Sequence, residues 1–280
     1  MSAEEQTQFL QGLAEALNGK EIALPSFPDV VVQIRTALED PTCTAGRLAE
    51  VAKTDPVLVS RLLRAVNSAF HNRAGIEIVD LGLAISRLGF EAVRNTAITL
   101  AVEQIFDAAK HDGLKERLKG LWSNSVHLSS MCYVLSRRAG SINSDNAFLC
   151  GLLHEVGKLY ILTRAKDYPN FLGDDNSLDT VMGQWSASVG ESIVQAWGFP
   201  DDIAQTMDAN SAAENQVNAD ATMIDVVAGS QLLVSDAEGA LTAAKPHISI
   251  ERLGITSESY EEIAESYQMY VSSMLQSIAA

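Results

Sequence analysis

The stretch Gly151–Leu162 reads GLLHEVGKLYIL and sets a histidine directly before a carboxylate. His154 and Glu155 are side chains a transition metal takes, and neighbours on a helix diverge by about 100°. The pair could therefore fill adjacent vertices on one ion. One helix cannot close a coordination sphere, however, and a hydrolytic centre also keeps an open position where a bound water is acidified. Further His, Asp or Glu must arrive from other elements. The chain holds five histidines: His71, His111, His127, His154 and His247. His127 is the best second ligand, since it precedes His154 by enough chain for an antiparallel helix pair. His71 and His111 fall in or near polar loops, and His247 follows Lys245-Pro246. No two histidines lie within one helical turn. A GxSxG elbow, a P-loop and a GxGxxG turn are also missing.

The elements that must position these side chains read as a succession of helices. MSAEEQTQFLQGLAEAL carries Phe9, Leu10, Leu13 and Leu17 on one stripe. FPDVVVQIRTALED repeats apolar residues at 27, 30, 31, 34 and 38 and stops at Asp40-Pro41, because the residue before proline is pushed out of the α region. A short helix follows from about Thr44. In KTDPVLVSRLLRAVNSAF, Asp55 is an N-cap with Pro56 at the first helical position, and Leu58, Leu62, Val66 and Ala69 form the inward stripe. Arg61 and Arg64 lie away from its centre. DLGLAISRLGFEAVRNTAITLAVEQIF predicts one or two largely buried helices broken at Gly89. HDGLKERLKG is a connector or helix start, and LWSNSVHLSSMCYVLSRR leads through a turn at 139–144 to a helix holding His154. Gly198 and Pro200 close the helix of DTVMGQWSASVGESIVQAWGFP. ANSAAENQVNADA is the most loop-like segment, and two or three helices finish the chain. No alternating strand pattern occurs, so the expected fold class is all-α.

Composition narrows the partners. Of 280 residues, 47% are hydrophobic, enough to bury a core, and the formal net charge is −16. Phosphate binding depends on clustered Lys and Arg, so nucleic acid is excluded as the main partner and docking on anionic membranes is disfavoured. The acidic start is not a secretory signal, and no run of about 18 apolar residues suggests a membrane span. Cys43, Cys132 and Cys150 are odd in number, widely spaced and apolar in setting, as expected of free buried thiols in a reducing cytoplasm.

Five motifs in order carry a family resemblance: LPSFPDVVVQI (24–34), AKTDPVLVSRLLRAVNSAF (52–70), AISRLGFEAVRN (84–95), FLCGLLHEVGKL (148–159) and VGESIVQAWGFP (189–200). Together they resemble the HDOD family, the HD-related output domain of bacterial signalling proteins, over roughly residues 20–215. The resemblance implies an all-helical fold related to metal-dependent HD phosphohydrolases, including those that cleave cyclic di-GMP. Catalytic HD enzymes place a first His on the helix before the motif, near His127, and carry His-Asp where this chain has His154-Glu155. The added methylene displaces the carboxylate by about 1.5 Å, against a tolerance of about 0.2 Å for metal–ligand distances. The cyclic-nucleotide enzymes have a His within GxxH where this chain has Ser186, and a His-His pair where it has Asn210-Ser211. Their last Asp falls near residues 228–229, with Asp225 one helical turn earlier. On this resemblance His127, His154, Glu155 and Asp225 are vestiges of a metal site, with no metal, cofactor or catalysis expected.

The expected architecture is a multi-helix bundle of two lobes, the second resembling a degenerate HD-phosphohydrolase domain. Residues 1–19 form a helical lead, and 20–215 the HDOD domain, with an N-terminal lobe of about 20–115 and an HD-like lobe of about 116–215. Residues 216–280 form a C-terminal extension packed back on the second lobe. The expected function is a non-catalytic signal-transduction module in the cytoplasm, whose partners are other signalling proteins. The alternatives are a divergent HD phosphohydrolase acting on a nucleotide or cyclic dinucleotide, and a nucleotide sensor using the same pocket with Arg94 or Arg137 offsetting the charge. Structural readings stand beside these. His154 can be a core histidine. Glu155 and Lys158 can pair on a helix surface. Gly151 and Gly157 can permit close helix packing or mark a bend. Trp122, Trp185 and Trp197 can be core or seam residues, and Asn67-Ser68 can bind a neighbouring loop.

Overall fold

A computed structural model describes residues 2–19, 27–109, 113–215 and 220–278. His111, the start of LPSFPDVVVQI and part of the loop-like segment after 215 lie outside the described residues. The order is α1 (Ser2–Gly19), α2 (Asp29–Leu38), α3 (Ala45–Ala52), α4 (Pro56–Asn67), α5 (Leu81–Leu88), α6 (Phe90–Ala108), α7 (Lys115–Ala139) and α8 (Ser144–Leu153). It continues with α9 (Val156–Ala165), α10 (Pro169–Leu172), α11 (Asp175–Ala196), α12 (Asp201–Ala204), a 3₁₀ turn (Gln205–Asp208), α13 (Ala209–Asn215), α14 (Met223–Thr242), α15 (Ile248–Arg252) and α16 (Ser257–Ile278). No strand occurs among the described residues. The fold class is all-α.

Helix ends follow from local chemistry. Asp55 accepts the Val57 and Leu58 amides ahead of Pro56, Thr44 accepts the Arg47 amide, and Asp80 accepts the Leu83 amide. Gly89 takes φ +88°, a left-handed value that ends α5 and lets α6 leave in a new direction. Asn67 binds Leu63 and Ile78 as predicted for a loop-holding residue: its amide nitrogen donates to both carbonyls and its oxygen accepts the Ile78 amide. Two expectations need correction. Arg61 is not peripheral to its helix; it is 4% exposed and ion-paired with Glu103 of α6. The segment from Ala209 is helical as far as Asn215 rather than loop-like, and its Ala209 and Ala213 are buried, which gives a short helix an apolar face to dock.

Packing centres on α7, which lies against α8, α14 and α16, while α9 lies against α11. The N-terminal helices pack among themselves and meet the rest where α6 touches α7 and α8. Arg35 of α2 stitches this seam, donating to the Trp197 and Gly198 carbonyls at 2.8 and 2.9 Å, and Phe27 packs on Trp197. Trp122 contacts Phe106 across the α6–α7 boundary. The lead helix α1 docks on the second half, with Phe9 against Phe171 and Glu5 accepting the Asn170 and Phe171 amides. Of the last helices, α14 packs on α7 and α8, α15 packs on α14 and α13, and α16 packs on both α7 and α4. A main apolar core runs from Phe9 to Val271, with a small second cluster of Val66, Ile78 and Ala84 beside it.

Candidate functional site

His154 and Glu155 do not sit inside one helix; they form the corner between α8 and α9. His154 closes α8, and Glu155 takes φ −90°, ψ 0°. The glycines on either side explain the corner. A Cβ on Gly151 would lie 2.6 Å from the Cα of Ser129 on α7. One on Gly157 would collide with the Ser186 carbonyl of α11. Two backbone-to-backbone approaches, to different partners and only six positions apart, force the chain to turn between them.

The turn buries the carboxylate. Glu155 is 1% exposed, and its Oε1 accepts from the side-chain amide of Asn124 on α7. The Lys158 ammonium lies 3.0 Å from Oε2 and donates to Oε1 at 3.3 Å. The expected Glu155–Lys158 pair is therefore present, with the carboxylate buried and the lysine side chain partly exposed. His154 turns the other way and bonds Gln231 of α14, with its Nε2 2.7 Å from the amide nitrogen. That bond requires Nε2 to accept, so the proton sits on Nδ1, which has no partner among the described residues. Burial pushes the imidazole pKa down to about 4; Glu155 draws it up and Lys158 draws it further down. His154 is thus neutral at ordinary pH. Asn124, Glu155, Lys158, Asn210 and Gln231 line a cavity of about 270 Å³.

The other two expected vestiges are elsewhere. His127 lies on α7 about 60° round from Asn124 and faces α16, where its Nδ1 bonds the Tyr267 hydroxyl. Position 124, not 127, presents its side chain to the corner. Asp225 is fully buried at the start of α14. It closes a capping box with Thr222 and accepts from Ser249 and Arg252, each at 3.0 Å. Arg94 and Arg137, expected to help an anionic ligand at the old pocket, instead bind Asn146 and Tyr133 and lie outside that cavity's lining. His71 lines a different cavity, and His247 caps α15. Sequence reasoning missed Asn124 and Gln231. Their amides carry no charge pattern, and only their later proximity gives them a role.

A divalent metal does not fit this donor set. Three of the groups that would hold it already have protein partners: the His154 Nε2, the Glu155 carboxylate and the Asp225 carboxylate. A Lys ammonium stands at the carboxylate and would repel a second cation. Among the described residues, no group of three or more His, Cys, Asp and Glu side chains is placed to hold an ion. No helix among them is long and apolar enough to cross a membrane.

Comparison with known proteins places this geometry among relatives. A family model for the HDOD domain matches residues 24–213. An uncharacterized protein of Treponema pallidum (strain Nichols) is 25% identical over 211 residues, or 70% of this chain; the chain spans only 39% of that relative's length. A provisionally named metal-dependent phosphohydrolase from Shewanella amazonensis SB2B shares the fold, with a TM-score of 0.79 and 19% identity over 96% of this chain and 99% of that one. An HDOD domain protein of unknown function from Geobacter sulfurreducens matches with a TM-score of 0.68 and 19% identity over the whole of both chains. A provisionally named signal transduction protein from Marinobacter aquaeolei VT8 matches with a TM-score of 0.64 and 20% identity over 99% of this chain and 68% of that one.

Proposed function

The chain belongs to the HDOD domain family, and from that premise we propose that it is a non-catalytic signal-transduction module that works through contacts with other signalling proteins. The observation that carries this reading is the ion pair that Lys158 makes with the buried Glu155 carboxylate. A hydrolytic HD centre needs that carboxylate to neutralise a metal and the histidine beside it to donate a lone pair. Here the carboxylate's charge is cancelled by an ammonium three residues away, and the imidazole lone pair is taken by Gln231. Opening the pocket to an ion would mean breaking both bonds and setting a second cation beside the Lys158 ammonium, which is unfavourable. What remains is an all-helical body, suited to holding partners rather than turning over a substrate.

Metal analysis of chain purified without chelators, together with turnover assays on cyclic dinucleotides and nucleotides, tests the reading. The expected outcome is less than about a tenth of an equivalent of Fe, Mn or Zn, against the full occupancy of a site that holds its metal tightly, and no turnover above background. Stoichiometric metal with hydrolysis that disappears in Glu155→Ala would replace it with the divergent phosphohydrolase. Association with another signalling protein that survives Glu155→Ala is the positive counterpart.

A further inference from the structure

A second cavity, of about 270 Å³, lies between α4, α6, α7, α8 and α16 and shares no lining residue with the Glu155 pocket. Its walls hold polar groups that the fold leaves unsatisfied. Arg61 is 4% exposed. One terminal nitrogen, Nη2, bonds Glu103 and the Ile278 carbonyl, while Nε and Nη1 have no partner among the described residues. Asn95, 7% exposed, donates its amide nitrogen to Asp145, and its Oδ1 accepts nothing there. Leaving such groups dry is unfavourable, most of all at a charged one. The stacked rings of Tyr133 and Tyr270, 4.2 Å apart, add a flat wall, and Arg137 lies over Tyr133.

We infer that this cavity is a binding site for a small organic acid, a carboxylate that also carries a hydroxyl or an amine. The carboxylate end accepts from Arg61, and the hydroxyl or amine donates to the Asn95 oxygen. A single negative charge suits the lining, where Arg61 and Arg137 stand against the Asp145 carboxylate and Glu103 already offsets Arg61 in part. Size sets the upper limit. At about 30 Å³ per water-sized group, the cavity holds roughly nine, which admits a hydroxy or amino acid and excludes a dinucleotide.

The test uses the full chain in thermal melts with L-lactate, D-glycerate, 3-hydroxybutyrate and L-serine, and with glycerol 3-phosphate, inorganic phosphate and cyclic di-GMP as contrasts. The expected result is a rise of about 5 °C for at least one of the four acids at a hundredfold excess over its Kd, and a smaller rise or none for the phosphates. Ala65→Leu and Ala92→Leu fill the cavity without removing a polar side chain, and each should abolish the rise. Flat melts for all four acids, a larger response to a phosphate, or an undiminished rise in the filled variants would overturn the site. Should a filled variant fail to fold, a crystal structure of the wild-type chain with the best acid decides. Density bridging Arg61 and Asn95 supports the site; water alone there, or the acid bound elsewhere, refutes it.

Discussion

At the scale of single residues, the corner at His154–Glu155 rests on a glycine that touches no ligand. Gly157→Ala drives a methyl into the Ser186 carbonyl, which is backbone and cannot step aside. A loss of roughly 3 kcal/mol or more is expected, read as a lower urea midpoint at unchanged slope. Gly12→Ala in α1, where nothing lies within 4 Å of the new methyl, should instead gain about 0.5–1 kcal/mol. His154 gives a pH prediction. Its folded pKa of about 4 lies below the ordinary 6.5, so the unfolded chain takes up the proton first as the solution is acidified. The contribution is intact above pH 6.5 and is lost as pH falls from there towards 4. Comparing urea midpoints at pH 7.5 and 5, His154→Gln should fall less than wild type; equal falls would mean that the imidazole is solvated. The sequence identified this pair and the Lys158 partner. It could not reveal the amides of Asn124 and Gln231, because a neutral side chain signals nothing until folding sets it against a charge.

At the scale of elements, Asp225 does at the head of α14 what an expected vestigial ligand would not. It ties α14 to α15 through Ser249 and Arg252 in a region with almost no solvent. Arg252→Met strands the carboxylate and should cost about 3–5 kcal/mol. Adding Asp225→Leu should cost less in that background than in the wild type, since the two residues share one interaction and the losses do not add. A double-mutant cycle in urea measures the coupling; strict additivity would dismiss the pair. Most helices were legible because their ends are written in short-range chemistry: Asp55-Pro56, Thr44, Gly89, and Gly198 with Pro200. Two features were not. The corner at 154–155 depends on two distant helices pressing on Gly151 and Gly157, and the 3.6-residue pattern runs through it unchanged. The polar segment from Ala209 reads as a loop because its helix is held by two small buried alanines rather than by an apolar stripe.

At the scale of the whole molecule, the core is continuous across both lobes, and Arg35, α1 and α16 each cross between parts distant in sequence. Thermal unfolding should therefore show one transition, with near-ultraviolet and far-ultraviolet signals coincident; two resolved steps would mean that the lobes melt independently. The last helix reaches further than the sequence suggests, since α16 lies on α4 as well as on α7. Tyr270 of α16 stacks on Tyr133 of α7 and meets Phe70 beyond the end of α4, while His127 is sealed by Tyr267. A ribosome delivers these parts in a fixed order, amino end first. The aromatic groove on α4 and α7 must wait, naked and adhesive, until its cover is translated, and a nascent chain stalled before Ser257 would present that groove to any chaperone within reach.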